Sequence, residues 1–179
     1  MHATNTHKLL GILTTVLILF AAAVHVQAFD IVRDGQPRAN VVVDTRGAQG
    51  KNDRILHGAA DWFTEAVERA TGAELKISQG TPDGPAFVFA RADQYPELAR
   101  QAGIDADSLN AFAVVTSDDR AHILGRSEVA VRHGVATVLH RMGFRYYNPS
   151  PRWWITPNTD DLSIEETFSD APDMRGRRI

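Results

Sequence analysis

The residues that could carry chemistry in this 179-residue chain are few and scattered. His133 and His140 lie seven residues apart in a stretch with helical spacing, so they project from nearly the same side of one helix. At about 1.5 Å rise per residue their stems stand roughly 10 Å apart, too far for two ligands of one ion. The i, i+4 histidines of an HExxH motif are absent. Asp61 and Glu65, one helical turn apart, have the spacing of an acid/base pair. Glu65 also precedes Arg69 by four residues, the orientation of a helix-surface ion pair worth roughly 0.2–0.5 kcal/mol. Asp118 and Asp119 belong to Ser117-Asp118-Asp119-Arg120, where aspartate suits the local hydrogen bonding of a turn. There is no GxSxG elbow, Walker loop, dinucleotide-binding glycine pattern or serine-triad order. With no cysteine anywhere, disulfides, thiolate metal ligands and cysteine nucleophiles are excluded together. No catalytic residue, metal site or cofactor is assigned from these patterns.

Aromatic residues are the remaining candidates. Tyr146-Tyr147 and Trp153-Trp154 could stack on the apolar faces of sugar rings, and all four are substrate-binding candidates. Neighbours on an extended strand point to opposite sides. At most one member of each pair is therefore expected to face a ligand while the other packs inwards.

These residues must be held by a set of short elements. Phe29 to Arg33 and Ala39 to Asp44 are β-rich runs separated by a turn containing Asp34-Gly35, which predicts a hairpin. Asp53 is expected to cap a helix running to Thr71, with Gly72 as its left-handed stop. Ile55, Ala59, Phe63, Ala66, Val67 and Ala70 form its apolar stripe; His57, Asp61, Glu65 and Arg69 lie opposite. Glu74 to Ser78 and Ala86 to Ala90 read as strands, and a short helix is expected from Pro96 to Gly103. Asn110 to Thr116 and Ala121 to Leu124 form a second predicted hairpin. Ser127 can cap a helix carrying Val129, Val135, Val138, Leu139 and Met142, closed by Gly143 and followed by a strand from Phe144 to Tyr147. Gly134 inside that helix costs about 1 kcal/mol relative to alanine, which implies a backbone or ring passing close by. The expected fold class is α/β (α+β): a mixed β-sheet with two main helices and one short helix packed mainly on one face.

The N-terminus has the pattern of a leader. Lys8 precedes an apolar run from Leu9 to Val24, and Val26-Gln27-Ala28 offers a cleavage site, so residues 1–28 are expected to be a signal peptide. The run falls short of the roughly 20 residues that span a bilayer. An exported chain, periplasmic or extracellular, with no stable membrane anchor after cleavage is the expectation. What remains is about 150 residues, the size of one domain. A formal net charge of −3 and the lack of a clustered basic face argue against nucleic acid as a partner.

Three blocks, AADWFTEAVERATGAELKI, AFAVVTSDDRAHILGRS and HGVATVLHRMGFRYYNPS, together resemble the N-terminal accessory domain that precedes the catalytic barrel of secreted glycoside hydrolases. The similar domains are the α-glucuronidase N-terminal domain, the second domain of β-hexosaminidases, and the N-terminal regions of uncharacterised bacterial hydrolase-like proteins. The resemblance covers nearly all of the mature chain, and the third block is its most specific part. It implies a non-catalytic domain over residues 29–150 and a junction segment over 151–179. It also implies a (β/α)8 barrel as C-terminal partner, in which the hydrolytic carboxylates of such relatives reside. Met174 to Ile179 falls about where those relatives enter the barrel, so the chain is expected to be a fragment of a longer polypeptide. None of the family's catalytic residues maps onto it. Arg145-Tyr146-Tyr147 and Pro151-Arg152-Trp153-Trp154 depart from the commonest family forms, so no particular sugar is implied. The alternative is a free-standing exported module that binds an oligo- or polysaccharide on its aromatic residues.

Overall fold

The computed structural model describes residues 28–46, 50–147 and 153–172. The predicted leader lies outside the described residues, apart from Ala28. Among the described residues no helix is long and apolar enough to cross a membrane.

The centre is a six-stranded mixed sheet. Its strands are β3 (Asn40–Val43), β4 (Ile77–Gln79), β5 (Ala86–Arg91), β6 (Phe112–Thr116), β7 (Arg120–Gly125) and β11 (Phe168–Asp170), in the order β11-β6-β7-β5-β3-β4. Strands β4, β3, β5 and β7 run parallel, whereas β6 is antiparallel to both β7 and β11. The run Ala86–Ala90 is buried throughout, as expected of a central parallel strand covered on both sides. Phe87 and Phe89 face one layer and Val88 and Ala90 the other, the alternation a pleated strand imposes.

Two long helices cover the first face. α1 (Lys51–Thr71) buries Leu56, Ala59, Ala60, Phe63, Ala66, Val67 and Ala70. The predicted stripe is recovered except at Ile55, which is half-buried while Leu56 takes the inward place. The helix begins two residues before Asp53, which sits in its first turn, and Gly50 occupies the cap. At the other end Gly72 adopts φ 74° and its N–H donates to Glu68 O at 2.7 Å. α3 (Glu128–Arg141) starts at Ser127, whose Oγ accepts from Ala130 N at 3.1 Å. Val129 is exposed; Ala130, Val131 and Gly134 take the inward positions beside Val135, Val138 and Leu139. The sheet's second face is covered by a 3-10 turn (Ala92–Gln94) and the short α2 (Pro96–Gln101), with Tyr95, Leu98 and Ile104 packed on Val42, Val88 and Leu124.

The predicted hairpin β6–β7 forms, and the first hairpin differs from expectation. β1 (Phe29–Arg33) turns through Asp34 and Gly35, both at positive φ, into the two-residue β2 (Gln36–Pro37). Pro37 offers no N–H for a longer ladder, and the all-apolar β3 is drawn into the central sheet instead. β1 pairs on its other side with β10 (Leu162–Ile164). β8 (Arg145–Tyr146) and β9 (Trp154–Ile155) form a separate antiparallel pair. Residues 151–179, expected as a junction segment, thus supply β9, β10 and β11 to three different sheets. Strands of two or three residues are too short to show the period-2 pattern that marks longer ones.

Candidate functional site

The four aromatic candidates converge on the β8–β9 pair. Tyr146 lies opposite Trp154 in the register, and their rings meet edge to face at 5.0 Å. Behind them Trp62 of α1 meets Tyr146 edge to face at 5.1 Å, and the Arg69 guanidinium sits 4.9 Å from the Trp154 ring. Arg69 is itself held by Glu65 at 2.6 Å, the ion pair anticipated from their spacing. Thr159 N, beyond β9, donates to Ala70 O at 3.2 Å and ties the segment to the end of α1. Burial pushes the Tyr146 phenol above its ordinary pKa.

The alternation reasoned from strand geometry holds. Tyr146 and Trp154 are half-buried against α1, whereas Tyr147 and Trp153, both just beyond the Tyr146–Trp154 end of the ladder, are 72% and 63% exposed. Ile155 shares this outer exposure. The result is a small apolar patch on a backbone pinned from behind. Rigid Tyr and Trp rings of this kind lose little entropy on contact and can stack on a sugar or pack on a protein surface.

A second polar cluster was missed from sequence. Asp44, directly after β3, is 1% exposed. Its Oδ1 accepts from Arg46 Nε (2.9 Å) and Arg46 N (3.1 Å); its Oδ2 accepts from Arg46 Nη2 (2.5 Å) and the Tyr95 hydroxyl (3.0 Å). Burial alone would raise the Asp44 pKa, but the Arg46 and Tyr95 hydrogen bonds outweigh it and hold the carboxyl below its ordinary range. A carboxylate so held is an anchor for the loop after β3 and a poor proton donor. Nearby in the fold, Arg91 at the end of β5 bridges Asp93 (2.7 Å) and the buried Glu128 (3.3 Å). His122 on β7 is 7% exposed beside the Tyr95 ring at 5.2 Å; burial first, then Arg120, pushes its pKa down to about 4. The one sequence signal for this cluster was a charged residue ending the run Val41-Val42-Val43-Asp44.

The other candidates do not converge on one site. His133 is half-buried, with its pKa lowered by burial and then by Arg132, while His140 is exposed. Asp118 and Asp119 lie in the β6–β7 turn. A groove of about 510 Å³ runs between the end of α3 and β10–β11, lined by Val138, Met142, Ile164 and Phe168. Within it Arg141 pairs with Glu166 at 2.6 Å and lies over Phe168 at 3.5 Å. No group of three or more metal-ligating side chains occurs among the described residues.

No family model matches the chain, and no curated protein matches it in sequence. Its fold recurs in solved structures. A GH20 β-N-acetylhexosaminidase from Streptomyces coelicolor A3(2) is 17% identical with a TM-score of 0.51, the match covering 83% of this chain and 24% of the enzyme. A family GH115 4-O-methyl-α-glucuronidase with specificity for decorated arabinogalactans is 17% identical with a TM-score of 0.53, covering 79% of this chain and 18% of the enzyme. The chain therefore has the fold of a domain carried by glycoside hydrolases, and it spans less than a quarter of either enzyme's length.

Proposed function

We propose that this chain is the non-catalytic N-terminal accessory domain of an exported glycoside hydrolase-like protein, working beside a catalytic barrel in the same polypeptide. The observation that carries the reading is the asymmetry of coverage: most of this chain matches a minor part of two larger glycosidases. The two buried carboxylates among the described residues fit it as well, since Asp44 and Glu128 are tied to arginines. Two carboxylates flanking a scissile bond need separations of about 5–10 Å across an open cleft, one of them able to carry a proton. Export is supported by Lys8, the apolar run from Leu9 to Val24 and Val26-Gln27-Ala28.

The purified chain is assayed against aryl glycosides of N-acetylhexosamines and uronic acids, and the reading frame is followed past the codon for Ile179. The expected result is no turnover and a frame continuing into alternating strands and helices. Turnover that falls when one of this chain's own carboxylates is neutralised defeats the proposal. Fusing residues 1–28 to a reporter active only outside the cytoplasm tests export.

One observation favours a second reading, a saccharide-binding module: Tyr147 and Trp153 are outward-facing rings on a fixed backbone. Titration of tryptophan fluorescence with uronic acid, hexosamine and plant oligosaccharides separates the two. Saturable quenching abolished by Trp153→Ala favours the module; an unresponsive signal favours the accessory domain.

A further inference from the structure

The helical layer contains two glycines with opposite surroundings. A Cβ added at Gly134 would collide with Ile123 and crowd Phe112, so internal packing accounts for that residue. A Cβ added at Gly58, within α1, meets nothing within 4 Å, and the residue is exposed. Glycine weakens a helix interior, and nothing inside the described chain offsets the loss at this position. Its other use is to let a foreign surface approach the backbone closely.

Gly58 borders a groove of about 440 Å³ whose described lining is Arg54, Ile55 and Gly58 from α1 and Arg132 from α3. Neither Arg54 nor Arg132 pairs with a carboxylate among the described residues, whereas seven other arginines do. A notch between two guanidinium groups that have no carboxylate partner among the described residues is complementary to an acidic surface that packs tightly. We propose that this groove seats an acidic segment of the catalytic part of the same polypeptide, an inference that rests on the accessory-domain reading. A protein surface suits it better than a saccharide. No aromatic ring is among its described lining residues, and the exposed described rings that could stack on a sugar lie instead at β8–β9.

The test introduces Gly58→Leu, and separately Arg54→Glu with Arg132→Glu, into this chain alone and into the product of the complete reading frame. Unfolding is followed by calorimetry. In the chain alone Gly58→Leu should raise Tm by roughly 2–4 °C through helix propensity, and the charge reversals should leave it unchanged. In the complete product both changes should lower the Tm of the accessory-domain transition. The loss from charge reversal should shrink at about 1 M salt. Equal rises for Gly58→Leu in both contexts overturn the docking inference and leave the accessory-domain reading standing. A fall in the chain alone also overturns it, by giving Gly58 an internal role. Oligogalacturonate raising the Tm of the lone chain through Arg54 and Arg132 reassigns the groove to an anionic saccharide. A frame ending at Ile179 removes both readings together.

Discussion

Gly134→Ala tests how the helix layer meets the sheet. The added methyl would overlap Ile123 Cγ2 on β7 and stand 3.1 Å from Phe112 Cδ2 on β6. Both obstacles are fully buried, on adjacent strands joined by a continuous ladder, and the branched Cβ of Ile123 leaves it few rotamers to escape into. Alanine favours the helix by about 1 kcal/mol. Forcing a methyl into a dense core costs roughly 1–3 kcal/mol, with the upper end expected where a branched residue and a ring must both move. The collision therefore wins, and the net loss of unfolding free energy should be about 1–2 kcal/mol. At roughly 2–4 °C per kcal/mol for a chain of this size, Tm falls by about 2–8 °C. Urea unfolding followed by tryptophan fluorescence, with calorimetry alongside, reads the change. A midpoint equal to or above that of the parent chain refutes the close approach. A double-mutant cycle sharpens the test, because Ile123→Ala alone should cost about 2–5 kcal/mol but also removes the obstacle. The two losses should then combine to less than their sum by about 1 kcal/mol. Strict additivity would show that the two positions do not touch.

The remaining expectations concern a histidine and two tryptophans. His122 has a folded pKa of about 4, below the roughly 6.5 of an unfolded chain, so the unfolded state binds the extra proton between those values. Its contribution to stability is complete above about pH 6.5 and is lost as pH falls toward 4; Asp44, held below its ordinary range, gives way only at lower pH. His122→Phe should therefore narrow the gap between urea midpoints at pH 7.5 and pH 4.5, and an unchanged gap would assign the acid sensitivity elsewhere. Trp154→Ala should cost about 2 kcal/mol, since it removes the edge contact with Tyr146 and the surface under Arg69. Trp153→Ala, at a mostly exposed site, should stay within about 0.5 kcal/mol, and equal losses for the pair would contradict the inward and outward assignment.

Much of the layout was legible from the residues. The 3.6-residue periodicity of α1 and the Ser127 cap of α3 survive into the structure because each depends on neighbours within a turn or two. So do the β6–β7 hairpin and the Asp34-Gly35 turn. Gly134 was legible too, since its helix penalty is local and calls for a compensating neighbour; which neighbour, Ile123 or another, was not. Val129 belongs to the apolar set of α3 yet is exposed, because hydrophobicity alone does not say which of several overlapping stripes will find a sheet beneath it. The site was legible as a set of aromatic types and an in-and-out alternation, without the partners Trp62 and Arg69.

Sequence by itself determined what a residue prefers: a mixed helix and strand content, the stops and caps, and the chemistries that a chain without cysteine cannot perform. Only tertiary structure decided who meets whom. The pairing of β1 with β10, the return of β11 to β6, the locking of Asp44 by Tyr95 and the packing of Trp62 on Tyr146 and of Arg69 on Trp154 all join segments far apart in the chain. Contacts of that kind draw their energy from surfaces brought together after the local elements exist. A short strand such as β8 or β10 has almost no preference of its own, and its conformation follows from the partner it finds.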